Sequence, residues 1–214
     1  MYPGSPAEEY VTARGLDDSV SARFGLGYVH SALPGHERYR GYLAVPYMRP
    51  AGGVHGVATV RYRCIADRCV KAPDGRYFFQ HDQKERHSEF HPKSGKYLTV
   101  PGDVPRLFNT GALIKKSPYV VLVEGEFDTM VWDSIGIPCV GAPGAGSWRN
   151  YWLPAFLGYK TVYLVAEDGP GETFMDDLAA KMPNGRSMRM ADDMDSNQIF
   201  LKYGAQSLKE RLSL

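Results

Sequence analysis

From residue 119 to residue 136 the chain reads YVVLVEGEFDTMVWDSIG. The first five residues, Tyr119–Val123, form an uninterrupted apolar run, which is typical of a strand buried on both faces of a parallel sheet. The next apolar residues recur with helical spacing over Phe127–Ile135, and Gly136 is a suitable helix terminator. A buried strand followed directly by a helix is the repeating unit of parallel α/β sheets.

The same alternation continues to the end of the chain. Further strands are predicted at Pro138–Gly141, Thr161–Ala166 and Ser187–Met190. Helices are predicted at four positions, which are Tyr151–Leu157, Thr173–Met182, Asn197–Tyr203 and Gln206–Leu212. Alternating strands and helices at this spacing predict a parallel sheet with right-handed crossovers.

The residues before this segment follow a different pattern. Ser5 is a suitable N-cap for one short helix, and Asp17 or Asp18 is a suitable N-cap for a second. Three strand-like pieces come next, at Gly27–Val29, Gly41–Met48 and Val54–Cys64. We therefore predict an α+β N-terminal subdomain over residues 1–117, a parallel α/β domain over 118–192 and short C-terminal helices over 193–214.

Charge divides along the chain in the same way. The 214 residues carry a formal net charge of +1. Residues 1–118 hold 17 Lys and Arg against 11 Asp and Glu, whereas residues 119–214 hold 8 against 13. All six histidines lie in the first part. A basic half joined to an acidic half suggests a polyanion partner for one and a metal ion for the other.

The composition excludes several classes of protein. Hydrophobic residues make up 43% and charged residues 23%, which is ordinary for a globular chain and excludes a disordered or collagen-like one. Three cysteines, an odd and low number, fit a reducing compartment. The N-terminus lacks the pattern of a signal peptide, and no apolar run is long enough for a membrane span. We expect a soluble, cytoplasmic protein.

Basic residues in the N-terminal half are interleaved with aromatic ones, as in proteins that bind single-stranded nucleic acid. Arg61 and Arg63 alternate with Val60 and Tyr62, which places both arginines on one face of a strand. The alternative is that many of the aromatic residues simply form a β-rich core. The interleaved set is Tyr39, Tyr42, Tyr47, Tyr62, Tyr77, Phe78, Phe79, Phe90, Tyr97 and Phe108.

Acidic residues follow three of the predicted buried strands. The three clusters lie within 124–128, 167–172 and 192–195. Ligands of open α/β sheets bind beyond the carboxyl ends of the strands, so these carboxylates are expected at one edge. Converging carboxylates repel one another unless a cation is present, and oxygen ligands suit Mg²⁺ or Mn²⁺. The alternative is that each acid caps a helix or lies in a solvated loop.

A zinc site is a weaker hypothesis. Cys64, Cys69, His81 and His87 fall near zinc-finger spacing, but a hairpin with a basic loop explains the same residues, and we consider zinc the less favoured reading. The Gly-rich segment at 141–147 has no lysine before Ser147, so it is not a Walker A loop.

At these motifs the chain resembles the bacterial-type, DnaG-like DNA primases, specifically their RNA-polymerase core with a TOPRIM domain. The resemblance covers residues 8–212 and suggests a compact phage or plasmid version. Its most specific part is the segment 123–128, Val-Glu-Gly-Glu-Phe-Asp, which is similar to the TOPRIM glutamate motif. Weaker similarities lie at 10–16, 24–28, 43–47, 56–63, 96–102, 107–111, 195–197 and 203–204.

The resemblance implies roles for individual residues. Glu124, Asp168 and Lys96 would be catalytic, with Glu124 as metal ligand and general-base candidate. Asp128 and Asp195 would support the metal or the fold, and Glu167 and Glu172 are further ligand candidates. Contacts to template or nucleotide phosphates would come from Arg61, Arg63, Lys96 and Arg106.

The implied activity is template-directed synthesis of short RNA primers on single-stranded DNA from NTPs, with Mg²⁺ or Mn²⁺. A replicative helicase and a separate zinc-binding domain or chain are the implied partners, and no membrane is involved. The chain departs from the family where Asp168-Gly169-Pro170 replaces the usual Asp-x-Asp. That departure keeps two alternatives open, a TOPRIM nuclease and a catalytically weak DNA-binding replication accessory.

Overall fold

The structure is a computed structural model, and it describes residues 2–50, 56–65, 97–142, 144–166, 170–190 and 194–213. The described chain divides into two units. The first comprises residues 1–13, 17–46 and 59–103, and the second comprises 14–16, 47–58 and 104–214. The domain boundaries predicted at residues 117 and 192 stay predictions.

Two short helices begin the chain, α1 (Pro6–Thr12) and α2 (Asp18–Phe24). The Ser5 side chain accepts a hydrogen bond from the N–H of Glu8, and the Asp17 side chain accepts one from the N–H of Val20. The predicted Ser5 cap is therefore confirmed, and of the two candidates for the second cap the structure selects Asp17. They satisfy amide groups that the first turn of a helix leaves without a partner.

A four-stranded sheet follows, in the order β1-β2-β3-β4. Its strands are β1 (Gly27–Tyr28), β2 (Tyr42–Met48), β3 (Val57–Cys64) and β4 (Tyr97–Leu98). Strand β1 pairs antiparallel with β2, and β4 pairs antiparallel with β3. Strands β1, β2 and β3 correspond to the three predicted strands, whereas β4 was not predicted.

The second sheet is parallel and has the order β6-β5-β7-β8. Its strands are β5 (Tyr119–Val123), β6 (Cys139–Gly141), β7 (Thr161–Ala166) and β8 (Gly185–Arg189). The predicted bounds of β5 and β7 are confirmed. Strand β8 begins two residues before the predicted position, because its exposed polar start has no apolar signal.

Three helices accompany this sheet: α3 (Glu126–Ser134), α4 (Pro170–Ala180) and α5 (Ser196–Arg211). The region predicted as helix at Tyr151–Leu157 is a 3₁₀ helix, Asn150–Phe156, which contains Pro154. Gly204 interrupts α5 with φ 79° and ψ 178°, so the prediction of two successive helices was correct in substance. Shorter 3₁₀ turns lie at Glu37–Tyr39, Thr110–Ile114 and Ala145–Ser147.

The core of the second unit lies along the parallel sheet, and helix α3 is buried on all sides. Every residue of α3 from Glu126 to Asp133 is buried, including three carboxylates. Trp132 is completely enclosed, and its indole N–H donates to Ser196 Oγ at 2.9 Å. Because buried charges are costly, each carboxylate of α3 needs a partner.

Candidate functional site

Glu124 stands at the carboxyl end of the central parallel strand, directly after Val123. Its Oε1 atom is buried and has no hydrogen-bond partner in the part of the chain that the structure describes. Burial raises the pKa of the Glu124 carboxyl above its usual value. A buried carboxylate oxygen without a donor favours either protonation or a bound cation, and the latter would reverse the pKa shift.

The residues after the neighbouring strand were predicted to complete this site. Strand β7 runs parallel to β5, with Leu164 opposite Leu122, and it ends at Ala166. Glu167 and Asp168, which follow Ala166, lie outside the described residues. Among the described residues there is no group of three or more His, Cys, Asp or Glu side chains placed to hold a metal ion.

Glu172, the further ligand candidate, already has a cationic partner. Its Oε1 lies 2.7 Å from Arg189 Nη2 in an exposed ion pair that connects α4 with the end of β8. Such exposed pairs contribute little to stability, so this contact would not prevent Glu172 from exchanging partners.

Asp128 and Asp195 both bind the amino end of α5. Asp128 Oδ1 accepts the backbone N–H of Asn197 at 2.9 Å, and Asp195 Oδ1 accepts that of Gln198 at 2.7 Å. The backbone N–H of Asp195 in turn donates a hydrogen bond to Gln198 Oε1 at 2.8 Å, which completes a capping box. Both acids therefore have a structural function in this molecule, while their predicted role at a metal stays a prediction.

Burial raises the pKa of Asp128 to about 7, and the nearby carboxylate of Asp195 acts in the same direction. The N–H of Asn197 and the positive charge of Arg14 lower it in part. The Arg14 guanidinium carbon lies 4.5 Å from the centre of the Phe127 ring, and its Nη1 donates to the Asn197 side chain at 3.4 Å.

Gly125 makes the turn between β5 and α3 possible. A Cβ atom at this position would lie 2.5 Å from Asp128 Oδ2. The φ of Gly125 is −102°, which any residue can adopt, so the close approach of the carboxylate is what requires glycine. The Gly125 position therefore lets Asp128 fold back over the residue that follows Glu124.

The other two carboxylates of α3 have distant partners. The Tyr47 hydroxyl donates to Glu126 Oε1 at 2.7 Å. Asp133 pairs with Lys115 and accepts a hydrogen bond from Asn109 Nδ2 at 3.3 Å. The sequence offered no signal for these pairs, because the residues that form them are far apart along the chain. Glu124 thus differs from these carboxylates in having a buried oxygen that forms no hydrogen bond with any described group.

Arg61 and Arg63 lie on the same face of β3, as the alternation predicts. Their guanidinium carbons lie 4.4 and 4.8 Å from the centre of the Tyr97 ring. Arg63 is buried, and its Nη2 donates to the Tyr10 hydroxyl at 3.0 Å. Arg61 is only half-buried, so it is the more accessible of the two cations in this unit.

The other predicted phosphate contacts are Lys96 and Arg106. Lys96 lies outside the described residues. Arg106 is half-buried and lines a cleft of the second unit.

Four of the six described aromatic residues of the interleaved set belong to the core. Tyr39, Tyr42, Tyr47 and Phe108 are buried, so the core interpretation holds for these four. Tyr39 stacks on Tyr62 with ring centres 3.9 Å apart. Tyr77, Phe78, Phe79 and Phe90 lie outside the described residues.

Only one member of the zinc hypothesis falls within the described residues. Cys64 is buried at the end of β3 and packs with Tyr42. The other three, Cys69, His81 and His87, lie outside, so this site stays a prediction.

Within the described ranges, no helix is both long and apolar enough to cross a membrane.

Comparison with known proteins gives two informative relatives, although no family model matches the chain. The gene 57 protein of Mycobacterium phage D29 is 36% identical over 176 residues, which are 81% of this chain and 99% of that protein. A DNA primase of Aquifex aeolicus is 30% identical over 154 residues, which are 64% of this chain but only 29% of the primase.

Solved structures resemble the fold over almost the whole chain. The RNA polymerase domain of Mycobacterium tuberculosis primase DnaG has a TM-score of 0.69 at 17% identity and covers 97% of this chain and 75% of that one. A DnaG primase catalytic domain bound to single-stranded DNA has a TM-score of 0.66 at 16% identity and covers 97% and 73%. The resemblance predicted from the motifs is confirmed. The chain belongs to the family of the gene 57 protein of Mycobacterium phage D29, and it has the fold of the DnaG primase catalytic core.

Proposed function

We propose that the chain synthesises short RNA primers on single-stranded DNA by metal-dependent nucleotidyl transfer, in a parallel domain of the TOPRIM type. The observation that carries the proposal is the Oε1 of Glu124 after β5, which is buried and has no hydrogen-bond partner among the described residues. The fold it shares with DnaG catalytic cores supports a primase-type reaction, and one of those cores is bound to single-stranded DNA.

The donor set suits Mg²⁺ or Mn²⁺. Glu124 supplies a carboxylate oxygen in need of a positive partner, and Asp168, with Glu167 or Glu172, would supply others from the same sheet edge. When bound, such an ion activates the attacking 3′-hydroxyl and neutralises charge on the triphosphate.

The protein's own groups would hold the substrates. Lys96, Arg61 and Arg106 would contact phosphates of the template or the incoming NTP, while the buried Arg63 would orient the strand that carries Arg61. Base pairing with the template would select the nucleotide, so little side-chain reading of bases is required. A replicative helicase and a separate zinc-binding domain or chain, acting in the cytoplasm of a bacterial or phage-infected cell, complete the proposal.

The test is a primer-synthesis assay with purified chain, radiolabelled NTPs, a single-stranded DNA template and either Mg²⁺ or Mn²⁺. We expect template-dependent oligonucleotides from the wild type and a loss of about 10²–10⁴-fold in Glu124→Gln. Glu9→Gln is the matched control, because Glu9 is an exposed acid on α1.

Two other results would replace the proposal. Cleavage of labelled DNA without synthesis would make the chain a nuclease. Binding of the template without either product would make it a replication accessory, the alternative that Gly169-Pro170 after Asp168 favours.

A further inference from the structure

None of the carboxylates described above lines a cleft of about 350 Å³ in the second unit. Four segments line it: the end of β2 with Arg49, the start of β3 with Ala58, the approach to the Thr110–Ile114 turn with Arg106, and the 3₁₀ helix with Tyr151 and Trp152. Because these segments are far apart in the sequence, the cleft could not be predicted from it.

The lining is positively charged. Arg49 is exposed and Arg106 is half-buried, and none of the described residues that line the cleft is acidic. Glu126 does not line the cleft, and its Oε1 accepts a hydrogen bond at 2.7 Å from the hydroxyl of Tyr47, which does. Two guanidinium groups facing one concave surface favour a ligand with phosphate groups.

A series of contacting aromatic rings connects the core with Tyr151, which lines this cleft. Tyr151 is 71% exposed, and its ring centre lies 5.5 Å from that of Trp152. Trp152 contacts Trp148 at 5.3 Å, and Trp148 in turn packs against the buried Phe156. The core therefore supports an exposed ring, which is the construction of a platform for base stacking.

We propose that this cleft binds single-stranded nucleic acid, with an unpaired base on Tyr151 and flanking phosphates on Arg49 and Arg106. That the strand is the template for synthesis rests on the proposed function; the binding itself does not. The exposure of Tyr151 and of Val104, which is 57% exposed, favours a strand over a free nucleotide. Sites for small ligands usually enclose most of the ligand surface, whereas a strand must enter and leave.

The experiment measures fluorescence anisotropy of a labelled oligodeoxythymidylate and of an oligonucleotide of equal length with abasic sites, which keeps the phosphates but lacks bases. We expect Tyr151→Ala to weaken binding of the first by about tenfold and to leave the second unchanged. Tyr151→Phe keeps the ring and should bind like the wild type.

Arginine variants test the phosphate contacts. Arg49→Gln should weaken both oligonucleotides and reduce the slope of log affinity against log salt by about one. The matched controls are Tyr203→Ala and Arg186→Gln, which remove an exposed aromatic ring and an exposed guanidinium outside the cleft. Both controls should bind like the wild type.

The inference is overturned if Tyr151→Ala binds oligodeoxythymidylate as tightly as the wild type, or if it loses only affinity for a free NTP. Primer synthesis is measured on the same proteins, so the two proposals can fail separately. If binding depends on Tyr151 but the protein makes no primers, the cleft is supported as a binding site and the proposed function is refuted. Primer synthesis without that dependence would do the reverse.

Discussion

The basic sheet of the first unit and the parallel sheet of the second treat their charged residues in opposite ways. On β3, the buried Arg63 is engaged by Tyr10 and Tyr97 of its own unit, and Arg61 shares the Tyr97 ring. After the end of β5, Glu124 has a buried oxygen that forms no hydrogen bond with any described group. The density of charge in the sequence therefore does not show which charged group is available to a ligand, because local contacts decide that.

The largest effect is expected from replacing Arg63. Arg63→Lys should lower the free energy of unfolding by about 2–3 kcal/mol, because a lysine cannot reproduce the planar contact with Tyr97 together with the hydrogen bond to Tyr10. Urea denaturation measures this change. Arg61→Lys changes the half-buried arginine and should lower the free energy of unfolding by less than about 1 kcal/mol. Equal losses in the two variants would contradict the distinction between a structural and an accessible arginine.

Gly125→Ala comes next. The added methyl group would overlap with Asp128 Oδ2, so we expect a loss of about 1–3 kcal/mol in stability together with reduced primer synthesis. Gly158→Ala is the control, since a Cβ there would meet no atom within 4 Å. If Gly125→Ala proved as stable as Gly158→Ala, the carboxylate would not need its position over the turn.

Binding of Mg²⁺ provides a smaller and more direct test of Glu124. At a Mg²⁺ concentration ten times the Kd, the wild type should gain about 1.4 kcal/mol in stability by mass action. Thermal unfolding with and without Mg²⁺ measures the gain. Glu124→Gln should lose it, whereas Glu126→Gln should keep it, because Glu126 is occupied by Tyr47. A gain that persists in Glu124→Gln would assign the ion to other residues.

A further test is the pH dependence of stability that Asp128 produces. An unfolded carboxyl with the ordinary pKa of 3.8 loses its proton before the buried one, whose pKa is about 7. The contribution of Asp128 to the free energy of unfolding is therefore fully present below pH 3.8, and it is lost as the pH rises towards 7. Asp195 strengthens this trend, and Arg14 and the Asn197 N–H weaken it.

Asp128→Asn should remove that trend while keeping an acceptor for the Asn197 N–H. Urea denaturation at pH 5 and pH 8, in EDTA so that no divalent ion contributes, should show a variant that gains on the wild type as the pH rises. A constant difference between the two proteins would mean that Asp128 is ionised at both values.

Much of the second sheet was predictable because its signals are local. The apolar runs of β5 and β7 predicted both strands with their observed bounds, and Gly204 was sufficient to separate two helical segments. Regions whose structure depends on distant contacts were less accessible. The 3₁₀ helix at Asn150–Phe156 packs Trp152 and Phe156 against the core, and the start of β8 is defined by its pairing with β7.

The candidate site divides in the same manner. The acid after a buried strand identified Glu124 from the sequence alone, since the carboxyl ends of parallel strands meet at one edge. The positions of the acids after the strands did not distinguish Glu124 from Asp128 or Asp195, and only the family resemblance implied different roles for them. Only the structure shows that Asp128 and Asp195 bind the amino end of α5.

The sequence by itself therefore determined the order of strands and helices, the helix caps and the positions where acids follow strands, because each depends on residues a few positions apart. The tertiary structure decided which charges the protein neutralises internally and which it leaves available. That depends on partners such as Tyr47 and Glu126, which are 79 positions apart in the chain. A side chain's environment is set by the neighbours that folding brings to it, and spacing along the chain does not contain that information.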